Sequence, residues 1–555
     1  MVLDIVLNQH HFFYYNRKKF KTYMKNLQYF ENQSDVVLDY DLYPKVQYCN
    51  ENSKVGINLY PNYVDVIYNI STIDENTKLY DKTILVDGLF IDDVEVKVLN
   101  EYKFNTIGEH NVKIYVNKNV ETFEGFFSAN KNIKSVDFTN FNGEKIKSFN
   151  GAFFSSTIEK VNFGNDNNFP NVVSLLSTFA YCQNLKNISF KGVGCDNITA
   201  ITAIFDGCLN LEEVDLNGFE NTKIKSLDAV FSNCQKLKKI DIEKINTSEV
   251  TSMSYSFNNC YSLEELDLTK NNFSNLQNAN YPFSNLSNLK TFKLGSNMSM
   301  LSNSSMILGG NFISPNCDVI IEDNSFNKET STDYRNLNVN TLTIGDNSLT
   351  NLTFFGLDNA KIKKLTVGEN FGKNFTDFKL SFFRNNYYLE EVDLSKMNSS
   401  YLISTQFMFN ECKTLKKLNI DNFDFSNVHT LYNMFYKCEN LENIDFSRIK
   451  SSPKIENFVD GMFIDCLKIT SLDLSNFDLS YTKTARNMFG GCSNLSFIKL
   501  SGSIEKLKSN ETNYTDMFKG ISSIGTLEII GNESDWSDII NSNIEYLTNW
   551  TIIYK

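Results

Sequence analysis

The residues best equipped for chemistry in this 555-residue chain are its cysteines, and their spacing argues against the chemistry thiols usually do. There are eleven: Cys49, Cys182, Cys195, Cys208, Cys234, Cys260, Cys317, Cys412, Cys438, Cys466 and Cys492. Cys182, Cys208, Cys234 and Cys260 stand 26 residues apart, as do Cys412 and Cys438, and Cys466 and Cys492. Repeated units stacked at strand spacing would bring successive Cα atoms to about 5 Å, inside the disulfide range. Yet Leu286 and Asn386 occupy the same slot, and a bonded pair would need a geometry different from its neighbours. Buried free thiols packing as small hydrophobes are therefore expected ahead of disulfides, with a metal cluster last.

Other reactive groups are sparse. Histidine occurs as His10, His11, His110 and His429, with no metalloprotease spacing. His10 and His11 could hold a metal, but an adjacent pair near a chain start is usually incidental. Neither a Gly-rich phosphate loop nor a Cys-x-x-Cys motif occurs, and no nucleophile sits beside a candidate base. No catalytic residue, metal or cofactor is expected.

Charge falls into columns. One slot reads Lys186, Glu212, Lys238, Glu264, Lys290, alternating in sign, and Glu390, Lys416 and Glu442 repeat the pattern. This predicts a structural ladder of ion pairs between units, each pair weak. Another slot holds Asp215, Asp241 and Asp267, and later Asp445 and Asp473. Like charges about 5 Å apart repel, which would raise the pKa of at least one carboxylate or call for a bound cation; flanking lysines and water sufficing is expected ahead of either, with a calcium site the lesser alternative. These five aspartates are the candidate binding residues of an exposed strand face.

The units that position these residues align on the cysteines. They read FAYCQNLKNISF (179–190), FDGCLNLEEVDL (205–216), FSNCQKLKKIDI (231–242) and FNNCYSLEELDL (257–268), and return as FNECKTLKKLNI (409–420) and FYKCENLENIDF (435–446). The last apolar position of each unit runs from Phe138 to Ile529 in sixteen rungs, mostly 26 or 27 residues apart, with two steps of 23 in the middle. Residues 295–380 lose the cysteine but keep strand-like pieces, so continuity is expected. Before the cysteine, Leu431, Met434, Phe435 and Cys438 have helical spacing. After it, Ile444, Asp445 and Phe446 alternate as a strand with one wet face. Such a unit cannot bury its apolar side alone, whereas stacked copies can, which defines a solenoid. The expected fold is an α/β leucine-rich-repeat solenoid with a parallel sheet.

FDFSNVHTLYNMFYKCENLENIDFS (423–447) closely resembles the unit of BspA-type leucine-rich repeats. INTSEVTSMSYSFNNCYSLEELDLT (245–269) and FDLSYTKTARNMFGGCSNLSFIKLS (477–501) are similar to it. The likeness covers about residues 120–530. It implies a surface protein of bacteria, protists or phages, commonly used in adhesion, with no catalytic residues to carry over.

Four regions are expected: an N-terminal extension (1–33) with a short amphipathic helix around Phe20, Tyr23, Met24 and Leu27, a small all-β sandwich-like domain (34–118), the solenoid (119–530) and a C-terminal cap (531–555). Net charge of −13 argues against nucleic acid as a partner. No apolar run reaches membrane-spanning length, and the start is apolar before it is basic, the wrong order for a secretory signal. The expectation is a non-enzymatic recognition or structural protein on a virion or extracellular surface. Its partners would be a protein or glycan, with other virion or surface proteins bound through the N-terminal region. A cell-surface adhesin exported by another route, or a carbohydrate-active enzyme, are the alternatives.

Overall fold

The computed structural model describes residues 62–555, apart from 82–83, 296–312, 327–330, 335, 352–353, 358, 377–382, 450–454 and 456–457. The expected N-terminal helix, residues 34–61 of the expected sandwich-like domain, Cys49, His10 and His11 lie outside the described residues. Within them the chain is a parallel-sheet solenoid of about 15 turns of ~26 residues, preceded by a small β region. Strands 265–267, 291–294, 318–321, 338–344, 361–367, 391–393 and 417–419 pair in that order, all parallel. The sheet therefore runs on through 295–380, as expected from the strand-like pieces there. A second stretch joins 471–473, 497–501, 525–530 and 550–554.

Alternation sets the faces. In Asp318–Ile321, Val319 and Ile321 are buried and their neighbours half-exposed, the period-2 pattern of a strand with one wet side. Inward residues from successive turns stack: Val319, Leu342 and Leu365 are register partners and are all fully buried.

The apolar segment before each cysteine is not helical, which corrects the expectation. It is a pair of consecutive four-residue turns. In 149–156, Ala152 N–H donates to Phe149 C=O (2.9 Å) and Ser156 N–H to Phe153 C=O (3.0 Å). The third residue of each turn is left-handed: Gly151 at φ 57° and Ser155 at φ 56°. The N–H groups between face the next turn of the solenoid, Gly151 to Leu176 C=O, Phe153 to Thr178 C=O and Ser155 to Ala180 C=O. The physical reason is spacing. A helix about 10 Å across cannot stack on copies of itself at the ~4.8 Å that the sheet imposes. Two turns placed end to end keep the apolar i, i+3, i+4 pattern while staying one strand thick. Left-handed positions also explain much of the asparagine: Asn233, Asn259, Asn285, Asn433 and Asn487 all have positive φ, which Asn tolerates better than most residues.

Phenylalanine fills the corner where turn meets strand. Phe127, Phe153, Phe179, Phe205, Phe231, Phe257 and Phe283 form one column of near-parallel rings with centroids 5.3 to 5.9 Å apart. Phe383, Phe409, Phe435, Phe463, Phe489 and Phe518 form a second.

Before the first turn, strand Tyr63–Ile70 pairs antiparallel with Gly108–Val116 on one side and with the solenoid strand Ile133–Asp137 on the other. Hydrogen bonding thus continues across residues 118–119, and the β region occupies the sheet edge that the first turn would otherwise expose. Glu101–Lys103 pairs with Asn76–Lys78 and not with the strand that follows it. Both edges of Gly108–Val116 are already taken, by Tyr63–Ile70 and by Val86–Ile91. At the far end lie the helix Glu533–Ser542, with Trp536 fully buried, and the strand Trp550–Tyr554.

Candidate functional site

The cysteine column is structural. Cys182, Cys208, Cys234, Cys260, Cys412, Cys438, Cys466 and Cys492 are free and buried. Each thiol lies against a phenylalanine carbonyl of the preceding turn: Cys182 on Phe153 O at 2.9 Å, Cys208 on Phe179 O at 3.0 Å, and Cys492 on Phe463 O at 2.9 Å. That carbonyl already accepts the N–H that closes its own turn, so the thiol approaches its second lone pair. Burial pushes the Cys182 and Cys260 thiols up to about 12, and Cys208, Cys234 and Cys438 well above the ordinary value. A nucleophilic thiol needs the reverse shift and access to solvent. The same slot holds Asn386, whose amide donates to Leu357 O at 3.1 Å. Sequence reasoning missed its earlier members, Asn130, donating to Lys78 O at 2.8 Å, and Ser156, 3.6 Å from the Cys182 thiol. Leu286 apart, the shared property is a short side chain able to donate, which a search on cysteine alone does not find.

In the aspartate column, Asp267, Asp445 and Asp473 are all held below the ordinary carboxylate value. At Asp267 partial burial pushes upward, but the Thr269 hydroxyl and N–H and the Lys293 ammonium at 2.9 Å outweigh it. At Asp473 burial is likewise outweighed by Ser475 hydroxyl and N–H and by Lys499 at 3.2 Å. At Asp445 the hydroxyl and N–H of Ser447 dominate, and repulsion from Asp473 is the weakest of the influences. Asp215 accepts from Ser189 Oγ at 2.9 Å and from Asn217 N–H at 3.1 Å. Asp241 opens a short helical turn, with Lys239 at 3.8 Å. At these three positions the lesser alternative, a raised carboxylate, does not occur. Asp215, Asp267, Asp445 and Asp473 each accept from the N–H two residues on, a local bond that Asp readily makes; Asp241 makes no such bond.

The charge ladder is present in the backbone and partly formed by side chains. Glu212 N–H donates to Lys186 O, Glu264 N–H to Lys238 O and Lys290 N–H to Glu264 O, so Lys186 and Glu212, and Lys238, Glu264 and Lys290, occupy equivalent places in successive turns. Lys290 pairs with Glu264 and Lys416 with Glu390, both at 2.6 Å. Among the described residues no ion pair within 4.0 Å joins Lys238 to either glutamate neighbour.

Two shallow hollows collect polar groups. One is lined by Glu121, Glu144, Lys147, Asn171 and Val173, and its carboxylate Glu121 is paired with Lys147 at 2.7 Å. The other lies on the central strands around Asp323, Asp346, Asp393 and Lys396. Asp346 is held below its ordinary value by the Glu369 N–H and then by Lys396. His110 bridges Asp92 at 2.7 Å and Thr106 O at 3.0 Å within the N-terminal sheet. Among the described residues no group of three His, Cys, Asp or Glu side chains is placed to hold a metal ion, and no helix is long and apolar enough to cross a membrane.

No curated protein matches the chain. Among solved structures it is similar to TLR13 in a TLR13–ssRNA13 complex, 14% identical over 76% of this chain and 72% of that one, with a TM-score of 0.25. It is also similar to a chain of the Drosophila Toll–Spatzle complex, 14% identical over 68% of this chain with a TM-score of 0.28. That alignment spans 50% of the Drosophila chain. The profile of one family matches residues 173–299, 359–458 and 404–528, together more than half of the sequence. On this match to the turns that carry the thiol and phenylalanine columns, the chain belongs to the family described as "Mycoplasma protein of unknown function, DUF285".

Proposed function

We propose that this chain is a non-enzymatic recognition protein of the BspA-like kind. Its solenoid meets a protein or glycan on a surface, and its N-terminal β region attaches it to its own virion or cell surface. The observation that carries this reading is how the polar groups are used. Asp267, Asp473, Glu264 and Glu390 are each engaged by a lysine of a neighbouring turn. What the solenoid then offers a partner is extent and shape, with binding energy drawn from a few exposed anchors. Asp215, Asp241, Asp267, Asp445 and Asp473 contribute to the strand face as a polar field, so replacing one of them alone costs little affinity.

The test is photo-crosslinking in the producing organism, with the reactive side chain placed at Asp215, at Asp445 or at exposed Val94 of the N-terminal sheet. The solenoid positions should capture one partner and Val94 another. Capture of nothing beyond copies of the chain would overturn the reading. So would turnover of a small substrate that is lost on mutating one carboxylate pair.

A further inference from the structure

We propose that the turn edge of residues 174–286 is a binding strip for an uncharged polysaccharide, with Tyr181, Tyr255 and Tyr281 as its stacking platforms. The inference rests on the recognition reading and names its ligand class. Three observations carry it.

The first is conformational. Tyr181, Tyr255 and Tyr281 have φ of 62°, 59° and 48°. Equivalent left-handed positions elsewhere are mostly small residues or Asn, such as Ser155, Ala203, Ala229, Asn233 and Asn487, with Phe407, Glu411 and Lys437 as exceptions in the later turns; small residues or Asn suit that backbone better than a bulky ring does. The three rings are also about half-exposed, at 45%, 45% and 51%. Strained and solvated aromatics contribute little to folding, and strain kept without a folding benefit points to function.

The second is arrangement. Tyr255 and Tyr281 stand on adjacent turns with ring centroids 6.3 Å apart. Tyr181 lies against Gly207 of the next turn, where a Cβ would come within 2.5 Å of the ring. Tyr255 and Tyr281 follow the solenoid axis at about one strand spacing, close to the length of a pyranose unit, and Tyr181 stands about three turns before them in the neighbouring left-handed slot. Beside them runs an amide ladder: Asn233 donates to Asp206 (3.0 Å), Asn259 to Asn233 (2.7 Å) and Asn285 to Asn259 (2.6 Å). Ring faces for C–H groups and amides for hydroxyls together match a sugar chain; an aliphatic protein anchor would have no use for the amides.

The third is charge. The turn segments 174–182, 200–208, 226–234, 252–260 and 278–286 contain no Lys, Arg, His or Glu. Their two aspartates are engaged, Asp206 by Asn233 and Asp228 by Ser252 and Ser254. The later turns differ: they carry Glu411, Lys437, Asp460, Asp465 and Arg486. Without a cation in its edge, the strip has nothing to pair an acidic polymer, so the ligand is neutral.

The test is affinity electrophoresis of the full chain through gels containing laminarin, dextran, galactomannan or, as the acidic control, hyaluronate. At least one neutral polysaccharide should retard it, and hyaluronate should not. Tyr255→Asn with Tyr281→Asn should weaken retardation at least ten-fold while leaving the melting temperature unchanged or higher, since Asn suits the left-handed backbone. Ile524→Asn, at an exposed position outside the strip, should leave retardation unchanged. The inference is overturned by absence of retardation in all three neutral gels, by retardation that survives the double tyrosine variant, or by retardation in hyaluronate alone. Partner cross-linking from Asp215 or Asp445 that persists alongside such a failure would leave the recognition reading standing.

Discussion

The solenoid is built in two ways, and the contrast lies between its flanks and its centre. In the flanks each turn takes about 26 residues and carries a pair of left-handed β-turns, a phenylalanine in a stacked column and a short donor behind it. In the centre the register partners Asp318, Thr341 and Lys364 are 23 residues apart. There a second parallel pairing, Ser331–Asp333 with Phe354–Gly356, runs where the flanks have turns. An extended strand advances ~3.3 Å per residue, so it covers the same perimeter with fewer residues than a folded turn pair. The turn-to-turn bond also changes hands. In the centre Asp323 accepts from Asp346 N–H at 2.7 Å and Asp346 from Glu369 N–H at 2.9 Å. The flanks are tied turn to turn by thiols placed before the strand and the centre by carboxylates placed after it, so neighbouring turns can be joined at different places by different short polar side chains.

The comparison is most sharply tested in the aromatic column. Phe205 is buried between Phe179 and Phe231, with centroids 5.8 and 5.7 Å away. Phe205→Ala should cost about 3–5 kcal/mol from burial and cavity, plus about 0.5–1.5 kcal/mol for each lost ring contact. Leu342→Ala in the centre, which has no ring stack to lose, should stay within about 2–5 kcal/mol. Urea unfolding of the two variants measures the difference. An equal or larger loss for Leu342 would show that the ring columns add nothing beyond volume.

A smaller effect separates turn from strand. Asn233 is left-handed at φ 60° and carries the amide ladder. Asn233→Val forces a β-branched residue into that backbone and should cost about 1–3 kcal/mol. Thr343→Val lies in the central strand Asn338–Ile344, where β-branched residues fit, and should change stability by less than about 0.5 kcal/mol. If both substitutions were neutral by thermal melting, the left-handed turns would not hold the flanks in shape.

These variants also mark how far the sequence was readable. The solenoid and its period were plain because Phe and Cys recur in register and the strand after them alternates. The turn pair was not, because apolar residues at i, i+3 and i+4 satisfy a helix and two consecutive four-residue turns equally. Asn at 233, 259 and 285 was the available clue, being common in left-handed turns and poor inside helices. The aspartates were ambiguous for a related reason. Their neighbours along the axis suggested repulsion, whereas Thr269, Ser447 and Ser475, two residues downstream, provide the bonds that decide their ionisation.

That outcome fixes the sign of a pH dependence. The carboxyls of Asp267, Asp445 and Asp473 are depressed in the folded chain. Their contribution is therefore full above the unfolded value of about 3.9 and is lost as pH falls through the lower folded values. Stability should decline in acid below about pH 4, and Asp473→Asn should flatten that decline slightly. The side chain is roughly half exposed, so solvent screening keeps the effect small. Denaturant midpoints at several pH values check it, and a decline already complete above pH 5 would contradict the depressed carboxyls.

The smallest expected effect concerns the charge ladder at the border of the two regions. Lys290 pairs with Glu264 at 2.6 Å, while Lys238 stands between Glu212 and Glu264 in the same column without a close ion pair. Exposed pairs of this kind contribute about 0.2–1 kcal/mol. Lys290→Ala should therefore lose a few tenths of a kcal/mol, and Lys238→Ala less still. Lys238→Glu differs in kind. It would set a third negative charge between Glu212 and Glu264, at strand spacing, and like charges facing each other across a sheet destabilise it. The Glu variant should thus fall below the Ala variant, and added salt should narrow the gap by screening. Equal midpoints for the two at low salt would mean that the column sets no register and that backbone hydrogen bonds and the phenylalanine stack hold the flanks alone.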